Sequence, residues 1–395
     1  MTQRKSRVRK TEYLVVGAGA AGCTFGFLMK KAGEDVLLLE MQDAEKREKL
    51  CAGILENRAE AAFADIFGLT VDEAGLITMP IENLYLRNGS HEYRRKMTGR
   101  RPATNVTEPA EFQQQFSVAN SIRSYLRTGS KFLAKKVLKE ALGYDLGKDF
   151  TYRVLPRKHI DNYIRDRYLA EGGQILNHTK LCSVNVNEGL AECIDLHTKE
   201  PFTIRFQYII GADGALSSVR RLLAGRQQKV ALALEAGVPL LRRDTVISFI
   251  PGVLGYCWYA PRGDDATVGC GFHNLGDDKF IICKKHLTAF CAELGLTVPS
   301  RLRGAFLPAG GEVLLQPGKH AFLLGDAAGL NDAFTGGGIH YTMLSAQALA
   351  AYFTEGISYE EAMRPHTSFV RKNAEHVKEY CVLASTVISN FGKKI

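Results

Sequence analysis

Three glycines, Gly17, Gly19 and Gly22, follow the apolar run Tyr13-Leu14-Val15-Val16, and residues of this type at this spacing can hold a pyrophosphate. Gly17 permits a sharp turn out of a strand, Gly19 lets phosphate oxygens approach bare backbone, and Gly22 allows the following helix to pack close on the strand. That helix, opening at Ala20 and Ala21, presents free N–H groups and the positive end of its dipole. A second apolar run, Val36-Leu37-Leu38-Leu39, ends at Glu40 and Met41, with Glu40 standing 23 residues beyond Gly17. A carboxylate there can accept hydrogen bonds from ribose hydroxyls. The glycines alone are a weak signal. With a strand before them, a helix after them and an acid in place, they predict a dinucleotide site rather than a glycine-rich core turn.

A second set of polar residues stands at the end of another buried run. Ala321-Phe322-Leu323-Leu324 leads into Gly325-Asp326-Ala327-Ala328-Gly329, then Thr335-Gly336-Gly337-Gly338-Ile339 opens a helix to about Tyr352. Asp326 is placed to accept from a sugar-like hydroxyl, while the glycines offer backbone N–H donors to a developing negative charge. Between the two sets lies Lys49-Leu50-Cys51-Ala52-Gly53-Ile54-Leu55, a small-residue turn that would sit beside a bound cofactor. Cys51 is a candidate proton donor there, against the commoner role of a small packing residue. No HxxxH or clustered Cys/His pattern is present, and no metal is expected.

These groups need a scaffold, and 395 residues suffice for a large core in more than one structural unit. Tyr208-Ile209-Ile210-Gly211-Ala212-Asp213-Gly214 reads as a further strand ending in a glycine-flanked acid. Val154-Leu155-Pro156-Arg157 leads into a helix through Tyr168. Alternating apolar residues around Leu84 and Leu86, with a turn at Asn88-Gly89, predict a hairpin. The stretch 107–142 reads as helical, as one helix or as two interrupted at Gly129-Ser130, and Arg123, Arg127, Lys131, Lys135 and Lys139 recur on it every four residues. Five more cations and no acid occupy residues 1–10, within a formal net charge of +9. A solvated tail and a solvated helix face are the plain expectation. Electrostatic contact with an anionic membrane surface or an acidic redox partner is the sharper one. Nine scattered cysteines without a CxxC pair, and an N-terminus lacking an apolar leader core, point to a cytoplasmic protein with reduced thiols. Nothing predicts a nucleic-acid partner or a transmembrane helix.

Four elements in this order resemble flavoproteins built like para-hydroxybenzoate hydroxylase: the glycine turn with Glu40, Arg157 opening a helix, GADG at 211–214 and GDAAG at 325–329. Lys49 to Leu55, the aromatic strand Tyr256-Cys257-Trp258-Tyr259-Ala260-Pro261 and the TGGGI segment are similar, more narrowly, to the geranylgeranyl reductase family. The resemblance implies an α/β chain, α+β overall. A discontinuous Rossmann-type FAD-binding domain would span 11–80, 151–225 and 306–352. A β-sheet substrate domain would span 81–150 and 226–305 with the helical insertion 107–142, followed by C-terminal helices at 353–395; residues 1–10 form the tail. It further implies FAD held by the glycine turn, Ala20, Ala21, Glu40, Met41, Cys51, Ala52, Gly53, Arg157, Asp213, Gly214, Gly325, Asp326 and 336–339, with Tyr256, Trp258 and Phe334 lining a substrate cavity. The implied activity is reduction of carbon–carbon double bonds in an apolar, isoprenoid or lipid substrate, with electrons from NAD(P)H or an acidic redox protein. A flavin monooxygenase acting on a small aromatic, and a non-enzymatic flavin-binding protein, are the alternatives. The sequence departs from the family at Ala52, which replaces a glycine, and in the length of 107–142.

Overall fold

The computed structural model describes residues 8–76, 78–96, 152–273 and 276–395. Uncharged runs such as Tyr13–Val16 and Val36–Leu39 are buried on both faces, as strands inside a covered sheet must be. They belong to a five-stranded sheet in the order Ala321–Leu323, Tyr208–Gly211, Tyr13–Val16, Val36–Leu39, Gln174–Leu176, with every pair parallel. Parallel neighbours require crossovers, and the helix Ala20–Lys31 makes the first of them. It packs between the helices Arg157–Ala170 and Ile339–Glu355. Phe25, Phe27, Tyr168 and Phe322 are fully buried in the resulting core. Each such side chain contributes about 1.5–3 kcal/mol by leaving water.

An eight-stranded sheet stands apart from the parallel one. Its order is Arg303–Pro308, Val230–Pro239, Asp265–Phe272, Gly255–Pro261, Thr245–Phe249, Asn83–Arg87, His91–Lys96 and Lys393–Lys394. All pairs are antiparallel except Thr245–Phe249 with Asn83–Arg87. Side chains alternate between its faces. Cys257, Tyr259, Val268 and Cys270 join Leu287 and Phe290 of the helix Lys279–Glu293 in one core, whereas Trp258 and Ala260 face Leu50 on the other side. Two smaller sheets complete the β-structure: Val8–Lys10, Pro201–Arg205, Leu190–Asp195 and Thr179–Asn185 in one, Ile54–Glu56, Tyr152–Val154 and Met79–Pro80 in the other. The helices Tyr359–Glu375 and Val377–Phe391 follow Ile339–Glu355.

Two expectations about basic residues need restating. Arg9 and Lys10 are not in an unpaired tail, although Lys10 stays exposed: Val8–Lys10 pairs in parallel with Pro201–Arg205, because the edge of that sheet offers unpaired backbone donors and acceptors. The stripe from Arg123 to Lys139, like residues 107–142 as a whole, lies outside the described residues. Among the described residues no helix is long and apolar enough to cross a membrane.

The tightest joint in the parallel unit lies between helix and turn. A Cβ on Gly22 would run into the Gly17 carbonyl oxygen and lie 3.1 Å from Val15 Cγ1. Gly22→Ala should therefore destabilise the fold by about 1–3 kcal/mol, as overpacked sites do. Urea unfolding would show a lower midpoint at unchanged slope; a midpoint equal to the parent's would mean that the helix has room to shift.

Candidate active site

The C-terminal ends of the parallel strands deliver the polar groups. Gly17 leaves Tyr13–Val16 with φ +103°, and its N–H donates to Leu39 O at 2.8 Å. A Cβ at Gly17 would stand 2.5 Å from Ala212 O, so the turn nests against the end of the neighbouring strand. Ala20 and Ala21 are buried in the first turn of the helix. Glu40 ends Val36–Leu39 almost fully buried, accepting from the Ala18 N–H at 3.2 Å and the Gln42 N–H at 3.0 Å. Met41, next in the chain, is half exposed.

Cations converge on this rim. Arg47 Nε lies 3.6 Å from Glu40, its Nη1 lies 3.3 Å from Asp161, and its guanidinium stands over Gly19. Asp161 also accepts from Arg157 Nε at 2.6 Å. Burial opposes the charge on Arg157, but the carboxylates of Asp161 and Asp326 outweigh it and raise its pKa above the ordinary guanidinium value. Lys49 Nζ donates to Asp326 at 2.6 Å. Sequence reasoning singled out Arg157 and missed Arg47 and Lys49. Their signal, cations in the loop just after Glu40, was visible but indistinguishable from a solvated charged loop.

The Gly325–Ala328 turn is a short 3₁₀ helix held by side chains from outside the motif, Ser345 among them, whose Oγ accepts from the Gly325 N–H at 3.0 Å. Arg220, buried, donates to Ala327 O and Glu312 O; Gln228 donates to Asp326 O at 2.7 Å. Asp213 turns its Oδ2 toward the N–H groups of Ser218 and Val219, capping the short helix Ser218–Ala224, while its buried Oδ1 has no hydrogen-bond partner. Gly214 carries φ +83°.

Beside the Gly336–Gly338 run lies a cavity of about 360 Å³ between the parallel unit and the eight-stranded sheet. Tyr256, Trp258 and Phe334 line it, and so do Cys51, Ala52 and Ile339. Phe334 stacks on Phe249 with ring centroids 5.8 Å apart and an interplanar angle of 11°, and meets Tyr380 at 5.6 Å with the rings tilted by 53°. The Tyr256 hydroxyl donates to Thr335 O, tying the aromatic strand to the glycine segment. Cys51 accepts from the Gly53 N–H at 3.4 Å, and burial pushes its thiol pKa up, so it stays protonated. Gly53, at φ +76°, abuts Leu155 O. The far wall, with Leu383, Ala384 and Val387 of Val377–Phe391, was not foreseen, nor were Glu56 and His340. None of these sits in a motif; topology alone brings them together.

Residues 10–238 match the model of a family described as FAD binding domain. The chain belongs to that family. It is an FAD-dependent oxidoreductase, and its relatives are similar to geranylgeranyl reductases. Digeranylgeranylglycerophospholipid reductase 3 of Methanosphaera stadtmanae is 24% identical over 408 residues, covering 98% of this chain and 85% of that protein. Digeranylgeranylglycerophospholipid reductase 1 of Methanothermobacter thermautotrophicus is 26% identical over 406 residues, covering 96% and 88%. A geranylgeranyl bacteriochlorophyll reductase-like structure from Thermoplasma acidophilum shares the fold at TM-score 0.70 and 17% identity, covering 97% of this chain and 91% of that one. The PqsL structure from P. aeruginosa in complex with 2-aminobenzoylacetate does so at TM-score 0.65 and 14% identity, covering 97% and 98%.

The groups on the rim of an FAD-binding chain must match a long anion with polyol and ribose hydroxyls, and here they do. Gly19 leaves a gap with a guanidinium above it, Glu40 and Asp326 are acceptors at strand ends, and Asp213 keeps an unsatisfied oxygen. Among the described residues no group of His, Cys, Asp and Glu is arranged to hold a metal ion.

Burial also sets a pH dependence. Desolvation first, then the charges of Arg58 and His366, hold His340 well below the ordinary imidazole value of 6.5. Below that value the unfolded chain binds a proton at this residue that the native state does not, so stability falls as the pH drops. The contribution is at most about 1.4 kcal/mol per pH unit. His340→Phe should lose stability less steeply than the parent between pH 6.5 and about pH 5. Equal slopes in pH-dependent urea unfolding would contradict the burial of this imidazole.

Proposed function

We propose that this oxidoreductase saturates carbon–carbon double bonds of an apolar, isoprenoid-bearing lipid, drawing electrons from a nicotinamide or a small acidic redox protein. The observation that carries the reading is the cavity: an apolar space walled by Trp258, Phe249, Phe334 and the helix Val377–Phe391, opening onto the glycine run 336–338. An isoprenoid chain has no polar atoms to satisfy, so its affinity comes from buried area on such walls. The names of the relatives support the same substrate class. A formal charge of +9 favours work at an anionic lipid surface, where such a substrate resides.

In this reading FAD lies extended across residues 11–80, 151–225 and 306–352, with 81–150 and 226–305 supplying the substrate side. Gly17, Gly19 and Gly22 with the helix start at Ala20 and Ala21 would take the pyrophosphate, helped by Arg47 and Arg157. Glu40 and Met41 would face the adenosine. Asp326, released from Lys49, would accept from the polyol chain, with Gly325, Asp213 and Gly214 close by. The backbone of 336–339 and of Cys51, Ala52 and Gly53 would border the ring. FAD supplies two-electron transfer to the substrate carbon when bound. The protein's own work is to exclude water through the aromatic wall and to hold the chain against the ring edge.

Purified protein should be yellow, and anaerobic incubation of its dithionite-reduced form with a digeranylgeranyl phospholipid should yield products heavier by two hydrogens per double bond. Products carrying oxygen from O₂, or an unchanged lipid, would overturn the reading. Asp326→Asn should weaken FAD retention about tenfold or more, the value of a charge-assisted hydrogen bond of roughly 1.5–3 kcal/mol. Unchanged affinity in a folded variant would remove Asp326 from the site.

A further inference from the structure

One wall of the cavity is a face of the eight-stranded sheet, and the depth at which Trp258 sits on that face decides how much space is left above it. In the antiparallel ladder Trp258 stands opposite Gly269, and Tyr256 opposite Gly271. Paired residues share a face, and Tyr256 and Trp258 both line the cavity. The two glycines are not equivalent. A Cβ on Gly269 would lie 2.1 Å from Trp258 Cζ2 and 2.5 Å from Cε2, whereas one on Gly271 would lie 4.0 Å from Cζ3, an ordinary contact. The indole rests on bare backbone at Gly269 and only passes beside Gly271.

A glycine inside a strand weakens it, so its presence there calls for a reason. Turn conformation does not supply one, because Gly269 has none of the positive φ that favours glycine. Close approach does. The Leu234 carbonyl oxygen, 2.7 Å from the same Cβ position, closes another side, which leaves a side chain little space to turn away from the indole. Carbon atoms in contact stand about 3.5–4.0 Å apart, so any side chain at 269 would lift the indole by about 1.5–2 Å from where it now lies. That is about the height of a methyl group.

We propose that Gly269 is a specificity-determining residue: by letting Trp258 sink onto the sheet it leaves the headroom that a methyl branch needs, and so selects an isoprenoid chain over a straight hydrocarbon chain. The proposal rests on the reading above and names the feature of that substrate class that is recognised. A straight chain has no branch to fill the space and forfeits contacts across the gap. In an apolar pocket a difference of a single carbon is worth about 10–200-fold in discrimination. An isoprenoid repeats its branch along the whole chain, so the preference holds whichever double bond is presented.

Trp258 is the chain's only tryptophan, so its emission reports the seat without turnover. The oxidised, FAD-loaded protein would be titrated with a digeranylgeranyl phospholipid, and separately with a phospholipid of the same headgroup bearing straight polyunsaturated chains. Trp258 emission should move to shorter wavelength as water leaves the cavity, and the straight-chain lipid should need about 10–200-fold more to bring this about. Gly269→Ala should erase most of that ratio and change the emission of the lipid-free protein, because the indole is lifted into the cavity. Gly271→Ala should keep the parent's ratio and emission. If the parent reduces the isoprenoid lipid without preferring it, or Gly269→Ala keeps the preference, the proposal falls while the reductase reading stands. If the parent neither binds nor reduces the isoprenoid lipid, both fall together. Should Gly269→Ala fail to fold, Trp258→Phe decides: its smaller ring should cost the preference when the two lipids compete in turnover, and a parent-like preference would overturn the proposal.

Discussion

The contact on which the rest depends is the one between Gly22 and the Gly17 carbonyl, where helix and turn approach too closely for any side chain. It fixes where Ala20–Lys31 starts and at what height its free N–H groups stand above the sheet. The other polar groups are placed relative to that height. Glu40 reaches back to the Ala18 N–H from the next strand, and Asp326 arrives from the strand two places away in the other direction. Loosening the joint would shift the helix end, and the acceptors at the strand ends would no longer converge on one line.

A second constraint is electrostatic. Glu40, Arg47, Asp161 and Arg157 form an alternating row of charges on the rim, and Lys49 with Asp326 a separate pair. Charges partly withdrawn from water are tolerable only when partnered. The row keeps the cations available to an anion while leaving none unbalanced. On the opposite side the aromatic residues need no such balance, and the cavity they wall is correspondingly apolar.

The parallel sheet was largely legible because its signals are local. Short uncharged strands, four of the five running into glycine or an acid, can be read without knowing what lies elsewhere. The aromatic strand was picked out by resemblance; in the structure Tyr256 and Trp258 share one face and Cys257 and Tyr259 the other. The charged row was not, because Arg47 and Asp161 are far apart in sequence and each alone resembles surface polarity. His340 and Glu56 were illegible for the same reason: a histidine after a glycine run says nothing until the chain folds a carboxylate toward it. Val8–Lys10 misled differently: its side chains are largely solvated as a short basic segment suggests, but a sheet edge binds it through backbone alone, which side-chain types do not reveal.

The interleaving of the two large sheets also bears on how the molecule is made. Ala321–Leu323 lies beside Tyr208–Gly211, yet the strands from Val230 to Pro308, which belong to the eight-stranded sheet, fall between them in the chain. Closing the parallel sheet therefore means bringing together residues more distant than any local turn can reach, a slow step for which the loop must first be ordered. The intervening antiparallel strands pair mostly with near neighbours and can form early. Once formed, they shorten the effective loop and bring Ala321–Leu323 beside Tyr208–Gly211. The eight-stranded sheet thus acts as a folding clamp for the parallel one.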